Sequence, residues 1–280
     1  VTGRPPPERT GTVSAADRGL LYGDGVFETL RVYARTPFRL PAHWDRLYAS
    51  AAFLGIPVPD VDPSAEVERA LEACGLDDAG VRITLTRGPL PEGPRPTPAG
   101  GAPTLLFQAR PLRAGLEELA RTGVAARRAP WPLRARGMPL HGHKTLNYLA
   151  SVVALGAVGP GEEAVLLNTE GHLAEGATSN LFWVRRGILY TPSPEAGCLP
   201  GLARALVLEE ARRLGLEVEE GLHSFRALAG AEEAFLTNSL VEVLPLVALD
   251  GDPLGGGRPG SVTRRLQRAY RGCVEAEAGR

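Results

Sequence analysis

The chain has 280 residues, 44% of them apolar and 22% charged, with a formal net charge of −1. Such a composition suits a globular chain with room for one large or two ordinary domains, and its near neutrality gives no reason to expect a nucleic acid or a membrane surface as partner. Three widely spaced cysteines, Cys74, Cys198 and Cys273, cannot all pair and form no Cys-x-x-Cys, so a reducing, cytoplasmic setting is the expectation.

The opening Val1-Thr2-Gly3-Arg4-Pro5-Pro6-Pro7 carries no hydrophobic export core, and residues 1–19 read as a strand end followed by a polar loop. Residues 26–33 (VFETLRVY) have the aromatic and β-branched content of a strand. Residues 41–54 read as an amphipathic helix, because Trp44, Leu47, Ala51 and Leu54 recur at helical spacing. Residues 63–74 form a second helix stopped at Gly75, and 81–86 a strand. The Pro/Gly-rich stretch 88–103 must be a loop, either a lid or binding loop or a solvated hairpin tip. Residues 104–109 read as a strand and 110–115 as a domain linker. Beyond it, 164–168, 181–184 and 234–237 read as strands and 202–214 and 261–274 as helices, with no internal repeat. A mixed α/β (α+β) fold in two domains follows, a smaller one over 1–112 and a larger one over 113–280. The most apolar stretch, 149–158, is about half the length of a bilayer span.

Lys144, in His143-Lys144-Thr145-Leu146-Asn147-Tyr148-Leu149, stands just where an apolar helical run begins, continued by Ala150, Val152, Val153, Ala154 and Leu155. A lysine at a helix N-terminus among apolar neighbours is pushed toward the neutral amine, the nucleophile that forms imines with carbonyl compounds. Glu175 precedes the strand 181–184. A carboxylate entering a buried strand needs a partner, and a pyridinium nitrogen would be one; an acid in a turn is the alternative. Gly201, after Cys198-Leu199-Pro200, opens a helix whose free N–H groups suit a phosphate, or it simply punctuates the chain. Thr237-Asn238-Ser239 ends a strand with groups that bind anions or build a polar turn. Arg46 offers a fork suited to phosphate or a solvated helix face. His141 and His143 read as a loop pair flanking Lys144. With His172 they do not complete a zinc set, so no metal is expected. There is no Gly-x-Ser-x-Gly, no Walker loop and no Gly-x-Gly-x-x-Gly opening a helix.

The segments DRGLLYGDGVFETLRVY, HWDRLYASA, HKTLNYL, EGATSNLFWV, CLPGLAR and TNSLVEVLP run in one order through nearly the whole chain. In that order they resemble the class IV aminotransferase family, the fold-type IV enzymes that use pyridoxal 5'-phosphate and share the D-amino-acid aminotransferase-like fold. The resemblance implies two α/β domains with the cofactor between them, the larger C-terminal one bearing the Schiff-base lysine, and a homodimer. It implies that Lys144 carries the cofactor and shuttles protons and that Glu175 pairs with the pyridine nitrogen. It implies further that Arg46, the Gly201 turn with the amides of Leu202 and Ala203, and the Asn238–Ser239 turn hold the phosphate, and that Tyr148 reaches the phenolic oxygen. There are departures: Gly201-Leu202-Ala203-Arg204 stands where the family usually has Gly-Ile/Val-Thr-Arg, and only Val1-Thr2-Gly3 stands for an opening strand that ends Asn-Gly.

Three branches of the family compete. D-amino-acid aminotransferases carry Tyr where Phe27 stands, and an Arg-x-His carboxylate trap in the loop that here offers Arg95. Branched-chain aminotransferases carry Phe-Glu-Gly-Ile-Arg where this chain has Phe27-Glu28-Thr29-Leu30-Arg31, and Gly-Thr-Ala-Ala in place of Thr237-Asn238-Ser239-Leu240. Aminodeoxychorismate lyases are similar at YGDGVFETLRVY, PFRLPAHWDRL, AEGATSNLFW and YTPSPEAGCLPG as well. The expectation is therefore a lyase that splits 4-amino-4-deoxychorismate into 4-aminobenzoate and pyruvate, with Phe27, Thr29 and Arg95 on the substrate side. An aminotransferase acting on branched-chain or D-amino acids with 2-oxoglutarate is the alternative, and a noncatalytic pyridoxal-phosphate-binding protein is a third. The first two take a small-molecule amine or amino acid as substrate.

Overall fold

Alternation along residues 25–33 sorts the first sheet into two faces. The computed structural model describes residues 12–89, 93, 95 and 102–279. The strand end expected in residues 1–11 and most of the 88–103 loop lie outside them. The chain divides into two compact units, residues 1–112 with 143–147, and residues 113–142 with 148–280.

The first unit runs α1 (Arg18–Tyr22), β1 (Gly25–Tyr33), β2 (Thr36–Pro37), α2 (Leu40–Leu54), α3 (Pro63–Glu72), β3 (Ala79–Thr86) and β4 (Thr104–Arg110). Its antiparallel sheet has the order β2-β1-β3-β4. Side chains alternate across a strand, so Val26, Leu30 and Val32 of β1 and Val81, Ile83 and Leu85 of β3 share one face. They pack with Leu47 and Ala51 of α2 and Val67 and Leu71 of α3. α2 begins with Pro41 in its first turn and stops at Gly55, whose left-handed backbone (φ 64°) lets its N–H close on Ala51 and Ala52 carbonyls. α3 is capped by the Asp62 carboxylate, which accepts from the Ser64 N–H at 2.9 Å. The opposite face of the sheet carries Phe27, Thr29, Arg82 and Thr84, since Phe27 lies across from Thr84 and Thr29 across from Arg82.

The second unit runs α4 (Leu116–Thr122), β5 (Val124–Arg128), α5 (Leu149–Gly156), β6 (Glu163–Leu167), β7 (Leu173–Gly176), β8 (Asn180–Arg185), β9 (Ile188–Pro192), α6 (Leu202–Arg213), β10 (Val218–Gly221), α7 (Phe225–Ala229), β11 (Glu233–Asn238), β12 (Glu242–Leu249), β13 (Asp252–Pro253) and α8 (Ser261–Glu277). Its sheet has the order β10-β9-β8-β11-β12-β5-β6-β7, with β13 paired to β12. The pairs β9/β10, β12/β5 and β5/β6 are parallel and the others antiparallel, so the sheet is mixed. α8 turns Leu266, Tyr270 and Val274 inward at four-residue intervals and packs on β12 and α6.

The lysine departs from its expected setting. α5 begins at Leu149 with Tyr148 as its cap, so Lys144 lies four residues ahead of the cap, beyond the reach of the helix dipole. Its segment, 143–147, clusters with the first unit and not with the larger second one. The cause is backbone pairing at the edge of β1: the Phe27 N–H donates to the Lys144 carbonyl and the Leu146 N–H to the Gly25 carbonyl, both at 2.9 Å, with a bridge between Val26 and Thr145. Among the described residues no helix is long and apolar enough to cross a membrane.

Candidate active site

The first unit supplies Lys144. Its Nζ lies over the face of the Phe27 ring, 4.5 Å from the centroid, and the Arg82 guanidinium lies against the same ring at 3.7 Å. Phe27 is buried and Thr29 partly so. On the helix-facing side of β1, the otherwise apolar row is broken by Glu28, which is 1% exposed. Both its oxygens accept from Arg46, through Nε and Nη2 at 2.7 Å each, and Oε2 also meets His43 Nδ1 at 2.7 Å. Burial raises the Glu28 pKa, but the hydrogen bonds and charges of His43 and Arg46 outweigh that and lower it to about 2. Burial depresses the His43 pKa, an effect that its hydrogen bond and attraction to Glu28 only partly offset. Arg46, read as a phosphate ligand, is thus anchored from behind by a carboxylate. Arg95 is exposed in a bend of the 88–103 loop.

The second unit supplies Glu175, which lies within β7 and is buried. Its Oε1 accepts from Arg134 Nε at 2.8 Å and its Oε2 from the Leu199 N–H at 3.0 Å. Leu199 belongs to the turn that leads into α6. No side chain caps α6, so the N–H groups of Leu202 and Ala203 have no acceptor within the helix and sit at its positive end. Asn180 braces this turn by donating to the Leu199 carbonyl at 2.8 Å. A Cβ on Gly201 would land on Asn180 Oδ1, so any other residue there must displace the carboxamide that braces the turn. Asn180 pairs in turn with Thr237 of β11, whose hydroxyl is buried without a hydrogen-bond partner. The Asn238 carboxamide is committed to the next turn: it accepts from the N–H groups of Leu240 and Val241 at 2.9 Å and donates to the Thr178 carbonyl at 3.1 Å.

The structure therefore brings Glu175 and the Gly201–Leu202–Ala203 helix start together around Asn180 and the Leu199 turn in one unit, with Asn238 and Ser239 following the neighbouring Thr237 along the chain, and sets Lys144 over Phe27, which shares a sheet face with Thr29, in the other. Tyr148 caps α5. Sequence reasoning missed Arg134, Arg82, Asn180 and the Glu28–His43 pair. The last was within reach, because His43 and Arg46 stand three apart on a helix and point to one side. Arg134 was not, because nothing local links residue 134 to residue 175. Among the described residues no three His, Cys, Asp or Glu side chains gather as a metal cage. Burial pushes the Cys198 thiol up to about 12, which leaves it inert as a nucleophile.

Two mixed α/β units, with an amine on one and a buried carboxylate beside an uncapped helix start on the other, are the parts of a fold-type IV enzyme. Residues 25–249 match the family model described as amino-transferase class IV. A putative branched-chain-amino-acid aminotransferase of Methanocaldococcus jannaschii is 35% identical over 271 residues, covering 94% of this chain and 92% of the relative. An aminodeoxychorismate lyase of Bacillus subtilis is 32% identical over 278 residues, covering 97% and 92%. A T.th. branched-chain amino acid aminotransferase, solved in complex with N-(5'-phosphopyridoxyl)-L-glutamate, superposes with a TM-score of 0.85 at 32% identity, covering 98% of this chain and 91% of that one. The chain belongs to the amino-transferase class IV family of pyridoxal-phosphate enzymes. The comparisons do not single out the lyase that the motifs resemble most.

Proposed function

We propose that this chain is a pyridoxal-phosphate aminotransferase that moves the amino group of a branched-chain amino acid to 2-oxoglutarate, working as a cytoplasmic homodimer. The observation that carries the reading is the Lys144 amine and the Arg82 guanidinium set against one Phe27 ring. An amino acid bears its carboxylate one carbon from the reacting amine. A proton-carrying amine, a carboxylate-binding cation and an apolar surface beside them suit that substrate. The relative named as a branched-chain aminotransferase supports the reading, at 35% identity against 32% for the lyase.

The residues present fit the cofactor. A phosphate suits the uncapped start of α6 and the orphaned Thr237 hydroxyl beside it, and a protonated ring nitrogen suits the buried Glu175. In this reading Leu202, Ala203 and Ser239, with Arg46 oriented by Glu28, would hold the phosphate. Asn238 acts by shaping the turn that presents Ser239, and Arg134 by fixing the Glu175 carboxylate. Tyr148 would meet the phenolic oxygen. Bound pyridoxal phosphate supplies the electron sink for the substrate carbon. Lys144 would hold the cofactor through its amine and, once the substrate amine replaces it, its free Nζ would carry the proton taken from the substrate carbon. Arg82 orients the substrate carboxylate, and Phe27 keeps water from the reacting carbon.

A second reading, the lyase, is favoured by Thr29: a hydroxyl stands beside Arg82 where branched-chain aminotransferases carry glycine. One experiment separates the two. The purified protein is offered leucine with 2-oxoglutarate, and separately 4-amino-4-deoxychorismate. Glutamate formation without pyruvate release is expected. Release of pyruvate and 4-aminobenzoate, with no amino transfer, would establish the lyase. A Lys144→Ala protein that turns over either substrate would defeat both.

A further inference from the structure

Just upstream of Lys144 the chain is tied to its own loop, where the Ala135 N–H donates to His141 Nε2 at 3.0 Å. A Cβ on Gly142 would meet nothing within 4 Å, and the residues before it form a single tight turn (Pro139–Gly142). Downstream, pairing with β1 fixes the backbone from the Lys144 carbonyl onward. Between the two stands His143, and its side chain is engaged twice by α2. The ring stacks on Phe53, with centroids 4.1 Å apart and planes 21° from parallel, and Nδ1 lies 3.2 Å from the hydroxyl of the buried Ser50. Ser50 and Phe53 are three apart, so one helix face offers both contacts.

We propose that His143 is a positioning residue for Lys144: clasped by Ser50 and Phe53, it fixes the lysine's backbone on the upstream side, as β1 does downstream. The clasp turns a glycine-led loop into a segment anchored on both sides of the lysine backbone. Preorganisation of this kind governs rates, because small displacements of a reacting group are costly. Burial depresses the His143 pKa, so the neutral ring sets no second charge beside the amine.

The inference rests on Lys144 as the cofactor-binding lysine, and the test separates the two claims. Apoprotein is mixed with pyridoxal phosphate. The rate at which the visible absorbance band grows, and the pH midpoint of that band at equilibrium, are measured for wild type, Lys144→Ala, His143→Ala, His143→Phe, Phe53→Ala and the His143→Ala/Phe53→Ala double variant. His143→Ala is expected to slow capture by about tenfold to a hundredfold and to move the midpoint. His143→Phe, which keeps the stack, is expected to recover most of the rate. Phe53→Ala should reproduce the slow capture, and the double variant should add little to either single one. Capture and midpoint equal to wild type in His143→Ala, or a change in thermal stability alone, would overturn the proposal. So would equal slowing by His143→Ala and His143→Phe, which needs neither protein to be fully stable to be seen. If Lys144→Ala develops the wild-type band, the assignment of Lys144 falls and this proposal with it. If Lys144→Ala loses the band while His143→Ala captures at the wild-type rate and midpoint, the lysine stands and His143 does not.

Discussion

Glu28 is an acid of the first unit held by two basic side chains, Arg46 and His43, and it is almost fully buried. Removing one partner of a buried ion pair leaves the other uncompensated, so Glu28→Gln is expected to cost about 3–5 kcal/mol at neutral pH, read as a drop in the urea midpoint. The sign with pH follows from the shifts. The Glu28 pKa is lowered to about 2, so its contribution is complete above the ordinary carboxylate value and is lost as pH falls toward 2. His43 acts in the same direction. Its folded pKa is depressed, so the unfolded chain takes up the proton first and stability falls on acidification below the ordinary histidine range. The gap between wild type and Glu28→Gln should therefore narrow between pH 4.5 and 2, and a constant gap would count against the assignment. Thr237 makes the opposite kind of case. Its buried hydroxyl lacks a partner, so Thr237→Val should leave the apoprotein as stable as wild type or more so. If the hydroxyl serves the phosphate, the same change weakens pyridoxal phosphate binding by about fivefold to tenfold, the worth of about one hydrogen bond. Thermal denaturation without cofactor and a cofactor titration give the two halves of that test. Both residues lay inside segments that the sequence marked, but their state was not legible there. Burial of a glutamate and isolation of a hydroxyl are properties of neighbours brought from other elements.

At the scale of elements, local period served well where one element's own face decides its burial. α2 follows from Trp44, Leu47, Ala51 and Leu54, and β1 from its alternation. It failed where a partner decides. Residues 143–147 carry no strand signal and were read as the entry to a helix, yet they pair with the edge of β1. β12 carries a weaker signal of its own, since Pro245 demotes a strand. The residue is tolerated because pairing with β5 begins only at Leu246, so its missing N–H breaks no ladder bond on that side. Gly25 is the joint between β1 and the lysine segment. A Cβ there would lie 2.5 Å from the Leu85 carbonyl oxygen and 2.7 Å from Leu146 Cδ1. The carbonyl belongs to β3 and cannot yield without opening the β1/β3 ladder, so β1 itself must shift at Gly25, and the lysine segment bonded to its other edge shifts with it. Gly25→Ala is expected to cost about 1–3 kcal/mol and to weaken cofactor capture as well. Urea denaturation and the absorbance band of bound pyridoxal phosphate report the two effects. A stable Gly25→Ala protein with wild-type capture would show that the contact is slack.

At the scale of the molecule, six motifs in register made family and cofactor legible, whereas no single motif could. The branch within the family was not, because substrate choice turns on a few groups such as Thr29 and Arg82 that the shared cofactor machinery does not constrain. The proposed homodimer has a candidate seat on α5. Leu149, Val152 and Val153 stand at i, i+3 and i+4 and are 68%, 58% and 43% exposed, so the helix turns an apolar stripe outward. A stripe of this kind on a short helix is a liability in a monomer and a natural seat for a second copy. Val152→Asp would place a charge in the centre of such an interface, where an unpaired ion is costly, while an exposed helical position in an isolated chain tolerates the change within about 0.5 kcal/mol. Sedimentation velocity is expected to show a dimer for the wild-type chain and a shift toward monomer for Val152→Asp, with thermal stability falling as dilution increases. A wild-type chain that sediments as a monomer, or a Val152→Asp chain that keeps the wild-type mass at every concentration, would remove α5 from the interface.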